Sequence, residues 1–440
     1  MKKTNARSGP FSQEETLFPG LSVRFDQPDT SSDGGLLLIS QIDRRVGLTR
    51  RLASCLGDLR RGMSVRYELE TMLRQRVYGI ALGYEDCIDF DDLRLDEAFK
   101  LTVGAVPAPQ PTLSRFENAR SRSELWAMSE TFVELFIRRR RGKAPRRIVL
   151  DFDATDDPAH GQQEFEFFHG YCGRHCFLPL LAFAAADDGP AELVAAILRP
   201  GNIHAGRGAA GLLKRLARRL RKTFPHSEIV FRADAGFALP EVYEVCESEN
   251  LRYLISLARN SRLEAMAEPH LEEVRRKAES AGFARSFHDL SYAAKTWSCE
   301  RRVVLKAERL VDKDNPRFVL TDLPGEPEEL YRRYCLRGDI ENRIKELKLD
   351  CFSGRTSCHS FRANCFRLLL HAAAYVLLSL LKESLEGTEL ARASVGTVRL
   401  KLLKVAARIV RTTRRTWVHL PRSCPAQRLW RALLPATAFG

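Results

Sequence analysis

The apolar and polar positions of this chain change their spacing along its length, from a helical period in the first third to short apolar runs in the middle. Short apolar runs bounded by Gly, Pro or charged residues predict strands buried on both faces. The predicted strands are 148–153, 164–168, 176–185, 193–198, 228–233 and 252–257, and the predicted helices are 209–222, 239–249 and 360–381. Neighbouring strands followed by alternating helices and strands predict an α/β fold built on a mixed sheet with flanking helices.

Residues 36–145 carry apolar positions at a helical spacing instead, which predicts a helical region. The clearest runs are 36–59, 67–82 and 91–101. A further helix, capped by Thr112 or Ser114, is predicted to continue to about residue 140. Residues 1–35 are rich in Ser, Gly, Asp and Pro without a clear period, and we predict a flexible leader there.

The segment 261–327 is longer than one helix and one strand require, and its alternating stretches predict a β-rich insertion. The strands predicted within it are 285–290, 295–300, 303–307 and 318–322. On either side, residues 146–260 and 328–390 are predicted to form one α/β core. The last segment, 391–440, holds eleven Lys or Arg and no acid, and its leucine spacing predicts a basic amphipathic helix.

One stretch carries charged and aromatic residues where an amphipathic helix would ordinarily carry leucines. These residues are Tyr334, Arg337, Glu341 and Lys348. Their spacing of three, four and seven residues brings all of them to one face of a predicted helix. A single acid among cations suits the binding of phosphate and metal ions, whereas the ordinary alternative is a solvated helix face with ion pairs.

Two aspartates stand where predicted strands end. Asp153 closes one apolar run and Asp234 follows another. An acid at the carboxyl end of a central strand can project towards a site, although a single such acid is more often a helix cap or a turn residue. Asp151, Asp156 and Asp157 are rival candidates for the first acid.

Together, these stretches resemble DDE-type transposases of bacterial insertion sequences, the group with a Tyr-x2-Arg-x3-Glu-x6-Lys signature. The helical stripe matches that signature without a gap. Asp153-Ala-Thr resembles the family's first catalytic block, and Asp234-Ala-Gly-Phe resembles its second. The resemblance extends over residues 147–382, and it favours Asp153 over Asp151, which lies two residues further into the strand.

The resemblance implies a ribonuclease-H-like core with a metal-dependent active site. Asp153, Asp234 and Glu341 would be the catalytic residues and the ligands of two Mg²⁺ or Mn²⁺ ions. Such a site would hydrolyse DNA at the ends of the insertion sequence and join the new 3′-OH ends to target DNA by transesterification.

The resemblance also implies which residues contact DNA. Tyr334, Arg337 and Lys348 would hold phosphates at the transposon end. Arg115 would contact phosphate from the helical region, which would bind the terminal inverted repeats. Trp297 is the candidate for stacking on a flipped base, worth about 1–3 kcal/mol per base, and a Trp packed between strands is the competing interpretation. A homodimer is expected, because two DNA ends must be paired.

Net charge agrees with a nucleic-acid partner. The chain carries a formal charge of +14 with a pI near 9.4, which favours a polyanion. Two other classes remain as alternatives. A stand-alone nuclease would have no use for an end-reading helical region, and a DNA-binding protein without catalysis would have no use for three acids among cations.

Cysteine usage and apolar runs indicate the compartment. Eleven cysteines without a repeated pair spacing, and an opening without a signal peptide, predict reduced thiols in a cytoplasm. The resemblance implies that this cytoplasm is bacterial and that the protein is associated with the nucleoid. The run His169-Gly-Tyr-Cys172-Gly-Arg-His175-Cys176 contains zinc-ligand residue types but no second pair at zinc-finger distance, so a packed hairpin is favoured.

The longest apolar run, 368–381, is too short to span a bilayer, and no membrane partner is expected.

Overall fold

The computed structural model describes residues 15–18, 21–24, 26–58, 60, 62, 65–187, 189–311 and 313–437. The helices are α1 (Leu36–Val46), α2 (Leu48–Ser54), α3 (Leu69–Leu82), α4 (Phe90–Leu93), α5 (Glu97–Val103), α6 (Gln110–Asn118), α7 (Arg122–Arg139), α8 (Ala209–Thr223), α9 (Pro240–Ser248), α10 (Ser261–Ala281), α11 (Pro327–Cys335), α12 (Gly338–Lys345), α13 (Phe361–Glu383), α14 (Val395–Val398) and α15 (Gln427–Thr437). A 3₁₀ turn spans Ala235–Phe237, and π-helical turns span Glu346–Asp350 and Arg399–Leu403.

The strands follow the same chain order. They are β1 (Glu15–Phe18), β2 (Leu21–Val23), β3 (Thr30–Ser31), β4 (Arg147–Ala154), β5 (Asp157–Pro158), β6 (Phe167–His169), β7 (Arg174–Phe177), β8 (Leu180–Ala186), β9 (Glu192–Ile197), β10 (Glu228–Ala233), β11 (Arg252–Leu257), β12 (Ala284–Tyr292), β13 (Arg301–Arg309), β14 (Arg317–Thr321), β15 (Ala407–Arg411) and β16 (Thr416–His419). The first part of the predicted leader, 1–14, lies outside the described residues, and β1, β2 and β3 lie in the remainder of it.

Eight strands form one mixed sheet in the order β12-β13-β14-β11-β10-β4-β8-β9. In its centre, β4, β10 and β11 are parallel, whereas β8 is antiparallel to both β4 and β9. This arrangement confirms the predicted α/β class with a mixed sheet. The predicted strand 176–185 is divided at Pro179 into β7 and β8, because proline supplies no N–H to continue a strand ladder.

The predicted insertion, 261–327, differs from expectation in two ways. It opens with α10, a helix of 21 residues that the alternation pattern did not predict. Asn260 caps this helix by accepting a hydrogen bond from the Leu263 N–H at 3.0 Å. In addition, β12, β13 and β14 form no sheet of their own, since β14 pairs with β11 and so extends the main sheet. The predicted strand 295–300 is the loop between β12 and β13.

Helices cover both faces of the main sheet. One face, with Leu150 and Phe231, packs against α8, α9 and α10. The other face, with Leu181 and Phe183, packs against α13 in a core that continues into α1, α3 and α7. The helical N-terminal region and the sheet therefore share one hydrophobic core.

The helix predicted to start at Thr112 or Ser114 is two helices in the structure. Both of those residues lie inside α6, and α7 starts after Ser121. The Ser121 side chain accepts from the Glu124 N–H at 3.3 Å, while the Glu124 carboxylate accepts from the Ser121 N–H at 2.5 Å. This reciprocal pair of hydrogen bonds is a capping box, which starts a new helix at that point.

The prediction of a basic amphipathic helix in 391–440 is wrong for most of its length. After α14 and a π-helical turn, the chain forms an antiparallel hairpin, β15–β16, whose first strand pairs with β3. The β-branched residues Ile409, Val410 and Val418 favour this extended conformation.

One helix of the described chain, α13, is long and apolar enough to cross a membrane, but 89% of its apolar window is buried inside the fold.

Candidate active site

Two parallel strands bring the candidate aspartates to one edge of the sheet. β4 and β10 pair with Phe152 opposite Ala233. Asp153 is the next residue of β4, and Asp234 is the first residue after β10. Because parallel strands end at the same edge, both carboxylates leave the sheet there. Asp234 Oδ1 also accepts a hydrogen bond from the Gly236 N–H at 2.9 Å, which shapes the turn after the strand.

The helix predicted over 334–348 is confirmed as helical but is not continuous. It consists of α11, a turn, α12 and a π-helical turn. Arg337 lies at the turn before α12 with helical dihedral angles, φ −58° and ψ −24°. Its Nη1 therefore still faces Glu341 one turn later, at 3.4 Å from Oε1.

Arg337 is the point at which the three candidate acids meet. Its Nη2 lies 2.8 Å from Asp153 Oδ2 and 3.7 Å from Asp234 Oδ2, while its Nη1 contacts Glu341. The Asp153 side chain is 13% exposed, whereas those of Asp234 and Glu341 are 43% and 59% exposed. The cluster is thus anchored in the sheet at Asp153 and open to solvent at the other two acids.

The electrostatics of the cluster are those of crowded carboxylates around one cation. Burial raises the pKa of Asp153 to about 6; Arg337 opposes this rise, and Asp234 and Glu341 add to it. Burial also opposes the charge of Arg337, but Asp153 and Asp234 outweigh that effect and raise the pKa of the guanidinium. A carboxyl perturbed in this way beside an open surface is typical of a functional site.

Asp151, the main rival for the first acid, has a structural partner instead. It is buried and accepts two hydrogen bonds from Arg232, at 2.5 and 2.8 Å. Arg232 Nη1 also donates to the carbonyl of Arg333 in α11 at 2.7 Å. This ion pair joins β4, β10 and α11 directly beneath the acid cluster. Sequence reasoning missed it, although a lone cation inside an apolar strand is a signal that an acidic partner is buried nearby.

Lys348 faces the strand end rather than open solvent. Its Nζ donates to Thr155 Oγ1 at 3.1 Å, to the Asp156 carbonyl at 2.6 Å and to Asp156 Oδ1 at 2.9 Å. Asp157 is buried and accepts a hydrogen bond from Thr356 Oγ1 at 2.7 Å. Both of these remaining rival acids therefore hold the polypeptide around the site in place.

Trp297, the predicted stacking residue, lies in the loop between β12 and β13. Its ring packs edge-on against Tyr243 and Tyr292, with centroid distances of 5.1 and 5.3 Å. The Arg301 guanidinium lies 5.4 Å from the same ring. These contacts favour the competing interpretation, a packed Trp, over a ring free to stack on a base.

Arg115 and Tyr334 have different surroundings. Arg115 lies exposed on α6 beside a cavity of about 530 Å³ that Arg60 and Arg66 also line, so this surface is basic. Tyr334 is half-buried, and burial raises its pKa although its hydroxyl bonds to Ser256. Arg115 therefore lies exposed on a basic surface of the helical region. Tyr334 lies half-buried one helical turn before Arg337 of the acid cluster.

The acids suit a divalent cation in chemical type. Carboxylate oxygens are the ligands that Mg²⁺ and Mn²⁺ prefer, and Asp153, Asp234 and Glu341 already share one positive centre. In the present arrangement that centre is Arg337, and no three His, Cys, Asp or Glu of the described residues are grouped closely enough to hold a metal ion. The donor set therefore fits the ion, while its present geometry is that of a cluster neutralised by arginine.

The hairpin formed by β6 and β7 offers no alternative metal site within the described chain. His175 Nδ1 contacts Glu166 at 2.6 Å, and His169 Nδ1 accepts from the Cys172 N–H. All eleven cysteines of the chain are free thiols. The hairpin itself is largely exposed, with Phe168 57% and Tyr171 96% exposed.

Comparison with known families gives a match to this chain. A family model described as transposase DDE domain group 1 matches residues 17–437, which is nearly the whole chain. The matched span contains every residue of the candidate site. A search of curated proteins finds no significant match to this chain.

Proposed function

We propose, from the premise that this chain belongs to the transposase DDE domain group 1 family, that it moves an insertion sequence by cutting and rejoining DNA. Membership confirms the resemblance to DDE-type transposases drawn from the signature. The observation that carries the proposal is the meeting of Asp153, Asp234 and Glu341 at Arg337. In the proposed reaction, the protein binds the terminal inverted repeats, hydrolyses the ends and joins the 3′-OH groups to target DNA by transesterification.

The strand order supports a ribonuclease-H-like core for this activity. Five strands of the main sheet lie in the order β9-β8-β4-β10-β11. The first three of them in the chain are antiparallel neighbours, and β10 and β11 add on the other side of β4 in parallel. The proposed catalytic aspartates lie at the ends of β4 and β10, each of which is paired with a neighbouring strand on both sides.

Asp153, Asp234 and Glu341 are the proposed catalytic residues, and they are also the proposed ligands of two Mg²⁺ or Mn²⁺ ions. When bound, such ions would activate the attacking water or 3′-OH and stabilise the leaving oxygen. Asp153 is fixed by its place at the end of β4, which gives the site a rigid reference point. Glu341 stands exposed on α12, where it can reach DNA that approaches from solvent.

Arg337, Lys348 and Tyr334 are proposed to hold phosphates of the transposon end. Acidic side chains already hold both cations at the site, since Arg337 contacts the catalytic carboxylates and Lys348 contacts Asp156. Groups held in this way are preorganised for an arriving phosphate. The planar Arg337 guanidinium is suited to stabilise charge that develops on phosphate oxygens.

The remaining parts of the proposal concern DNA ends and assembly. We propose that residues 36–145 read the terminal repeats, with Arg115 and the basic cavity beside it on a phosphate backbone. Two ends are cut in one complex, which requires a homodimer. The protein would act in the bacterial cytoplasm, on the DNA of the nucleoid.

The test is incubation of the protein with Mg²⁺ and a linear duplex that carries the inverted repeats flanking its own gene. A transposase nicks the repeat ends and then yields joined products. A nuclease cuts without joining, and a DNA-binding protein only retards the duplex, so either result would contradict the proposal. Glu341→Gln is expected to abolish both steps, whereas Asp339→Asn, on the same helix and paired with Arg343, is expected to retain them.

Metal binding can be measured separately from cutting. Addition of Mn²⁺ is expected to raise the thermal midpoint of the protein, because a ligand that binds only the folded state stabilises it. Asp153→Asn and Asp234→Asn should each abolish this rise. An unchanged rise in both variants would place the metal elsewhere.

A further inference from the structure

The basic C-terminal segment presents a β-ribbon to solvent. We define the basic ribbon as residues 407–419, that is, β15, the turn after it and β16. Ile409 and Val418 lie opposite each other, and Ile409 is only 2% exposed, so this pair marks the inner face. The neighbouring pair, Arg408 and His419, lies on the outer face, because successive residues of a strand point to opposite sides.

The outer face carries a row of cationic and aromatic groups at every second position. Arg415 lies 5.9 Å from the centre of the Trp417 ring, and the rings of Trp417 and His419 stack at 6.5 Å with an angle of 22°. Trp417 is 50% exposed, although a Trp of a folded chain is usually buried. This row therefore offers planar groups and positive charge together.

The positive charge of the basic ribbon is largely uncompensated. Arg411 pairs with Glu97 of α5 at 3.1 Å. Within the described residues, Arg408, Arg414 and Arg415 form no salt bridge, and the sequence from 391 to the end contains no acid at all. Concentrated charge without counter-charges is costly for a folded protein unless a polyanion neutralises it.

We propose that the basic ribbon is a contact surface for duplex DNA, an inference that rests on the proposed function. Beyond the pairing of residues 407 and 408 with β3, the basic ribbon is two-stranded, which is a width that the major groove admits. Arg414 and Arg415, at the turn, contact backbone phosphates, and Trp417 packs against the sugars and base edges between them. The pairing of β15 with β3 and the contact with Glu97 place the ribbon beside the N-terminal helices, so both regions share one length of DNA.

The chemistry of the turn distinguishes this partner from a lipid surface. A membrane-inserting hairpin needs an apolar tip, whereas the residues at this turn are Thr412, Thr413, Arg414 and Arg415. Threonine and arginine side chains commonly bind the phosphate groups of the solvent-exposed DNA backbone. Duplex DNA is therefore the occupant that both the charge and the polarity of the basic ribbon fit.

The experiment measures binding of fluorescent duplexes by the full-length protein across a series of NaCl concentrations. Arg414→Gln/Arg415→Gln is expected to reduce the slope of log affinity against log salt by about 2, since each lost phosphate contact removes about 0.9. Trp417→Ala is expected to weaken binding at every salt concentration without changing the slope, because it removes apolar contact area and no charge. Arg411→Gln serves as the matched control on the same ribbon, because its charge is already paired, and should change the slope least.

Two duplexes separate the possible DNA partners. Losses on both a repeat-bearing duplex and an unrelated duplex would support a contact that serves target DNA, and losses on the repeat-bearing duplex alone would support a contact with the transposon end. Wild-type slope and affinity in both the double variant and Trp417→Ala would overturn the proposal. The proposal would also be overturned if light scattering showed a change of oligomeric mass in the variants that accounts for their loss of DNA binding, because the ribbon would then bind a second copy of the chain.

Failure of this inference is distinguishable from failure of the proposed function. The basic ribbon lies outside the catalytic cluster, so the salt dependence of binding by its variants reports on the ribbon, whereas cutting and joining by the wild-type protein report on the proposed function. If wild-type protein cuts repeat ends and the ribbon variants bind as it does, only the ribbon assignment fails. If wild-type protein neither cuts nor joins, the proposed function fails first.

Discussion

Asp151 and Asp153 stand two residues apart on β4, yet they have different partners: Asp151 shares Arg232 with no other acid of the described chain, whereas Asp153 shares Arg337 with Asp234 and Glu341. Asp151→Asn is expected to lower the free energy of unfolding by about 3–5 kcal/mol, because it leaves the buried guanidinium of Arg232 without its partner. Asp153→Asn is expected to leave stability similar or higher, since Arg337 keeps Asp234 and Glu341 as partners and burial opposes the charge on Asp153. Chemical denaturation of both variants measures the difference, and a cleavage assay measures activity.

A compensating variant checks the reason. Asp151→Asn/Arg232→Met removes both charges and should recover much of the lost stability, because the uncompensated cation is gone. An Asp151→Asn protein that is as stable as the wild type but unable to cut would instead move the first catalytic acid to Asp151. An Asp153→Asn protein that still cuts repeat ends would have the same consequence.

Asp157 makes stability depend on pH near neutrality. Burial raises the pKa of this carboxyl from 3.8 to about 7, against the hydrogen bond from Thr356. The folded state therefore holds the proton more tightly than the unfolded state, so this stabilisation is complete below about pH 4 and is lost as pH rises to about 7. Asp157→Asn is expected to flatten that part of the profile and to be more stable than wild type at about pH 8, by on the order of 1–3 kcal/mol.

Denaturant midpoints measured from about pH 4 to pH 8 test this expectation. Asp156, one residue earlier, provides a contrast of opposite sign. Burial alone would raise the pKa of Asp156, but the hydrogen bond and charge of Lys348 lower it, so its contribution is present at neutral pH and is lost on acidification. Equal pH profiles for Asp157→Asn and wild type would show that the buried carboxyl does not control this range.

At the scale of elements, Gly35 joins the two ends of the chain. Its N–H donates to the Leu403 carbonyl at 3.1 Å, and a Cβ atom there would lie 2.1 Å from the Leu402 carbonyl oxygen. Backbone atoms cannot move aside as a flexible side chain can. Gly35→Ala is therefore expected to destabilise the protein by about 1–3 kcal/mol or more.

Gly211, inside α8, is the matched control. No atom would lie within 4 Å of a Cβ there, so Gly211→Ala should stabilise the helix by about 0.5–1 kcal/mol. Thermal unfolding of the two variants gives shifts of opposite direction if this account is right. A neutral Gly35→Ala would show that the contact between the N-terminal strand and the C-terminal segment contributes little to stability.

The elements also show how far sequence alone reaches. The predicted strands 228–233 and 252–257 coincide with β10 and β11, because short apolar runs between turn residues leave few alternatives. α10 was missed because Pro269 lies inside it and conceals its helical period. The prediction of a helix over the basic ribbon is wrong because it rests on leucines that stand just before the ribbon at helical spacing. The conformation of the ribbon itself is decided by β-branched residues and by pairing with β3.

The candidate site was predicted by residue type but not by arrangement. The signature identifies Arg337 and Glu341, and the strand ends identify Asp153 and Asp234. The contact of all three acids with one guanidinium depends on the register of β4 against β10 and on the turn before α12, which no local pattern specifies. Long-range pairing of this kind becomes visible only in the folded chain.

For the molecule as a whole, the position of the positive charge matters more than its sum. The arginines that lead into β4 are mostly engaged, since Arg139 and Arg140 pair with Glu192 and Arg147 pairs with Glu228. The C-terminal segment contains no acid of its own, although Lys404 and Arg411 pair with Asp33 and Glu97 elsewhere in the chain. The chain carries a net charge of +14, and the arginines and lysines that a polyanion can contact therefore lie mainly in the C-terminal segment and around the basic cavity of the N-terminal helices.

The last prediction concerns cooperativity, because the N-terminal helices and the sheet pack on the same helix. Leu377 of α13 is fully buried in their shared core, and Leu377→Ala is expected to cost about 2–5 kcal/mol. Unfolding should remain one transition, with Trp126 fluorescence, measured in a background where Trp297, Trp417 and Trp430 are replaced by Phe, and far-ultraviolet circular dichroism giving the same lowered midpoint. Leu216→Ala, on the opposite face of the sheet, should lower both midpoints in the same way. A Trp126 midpoint that stays at the wild-type value in Leu216→Ala would mean that residues 36–145 unfold as an independent domain, and end recognition would then be separable from cutting.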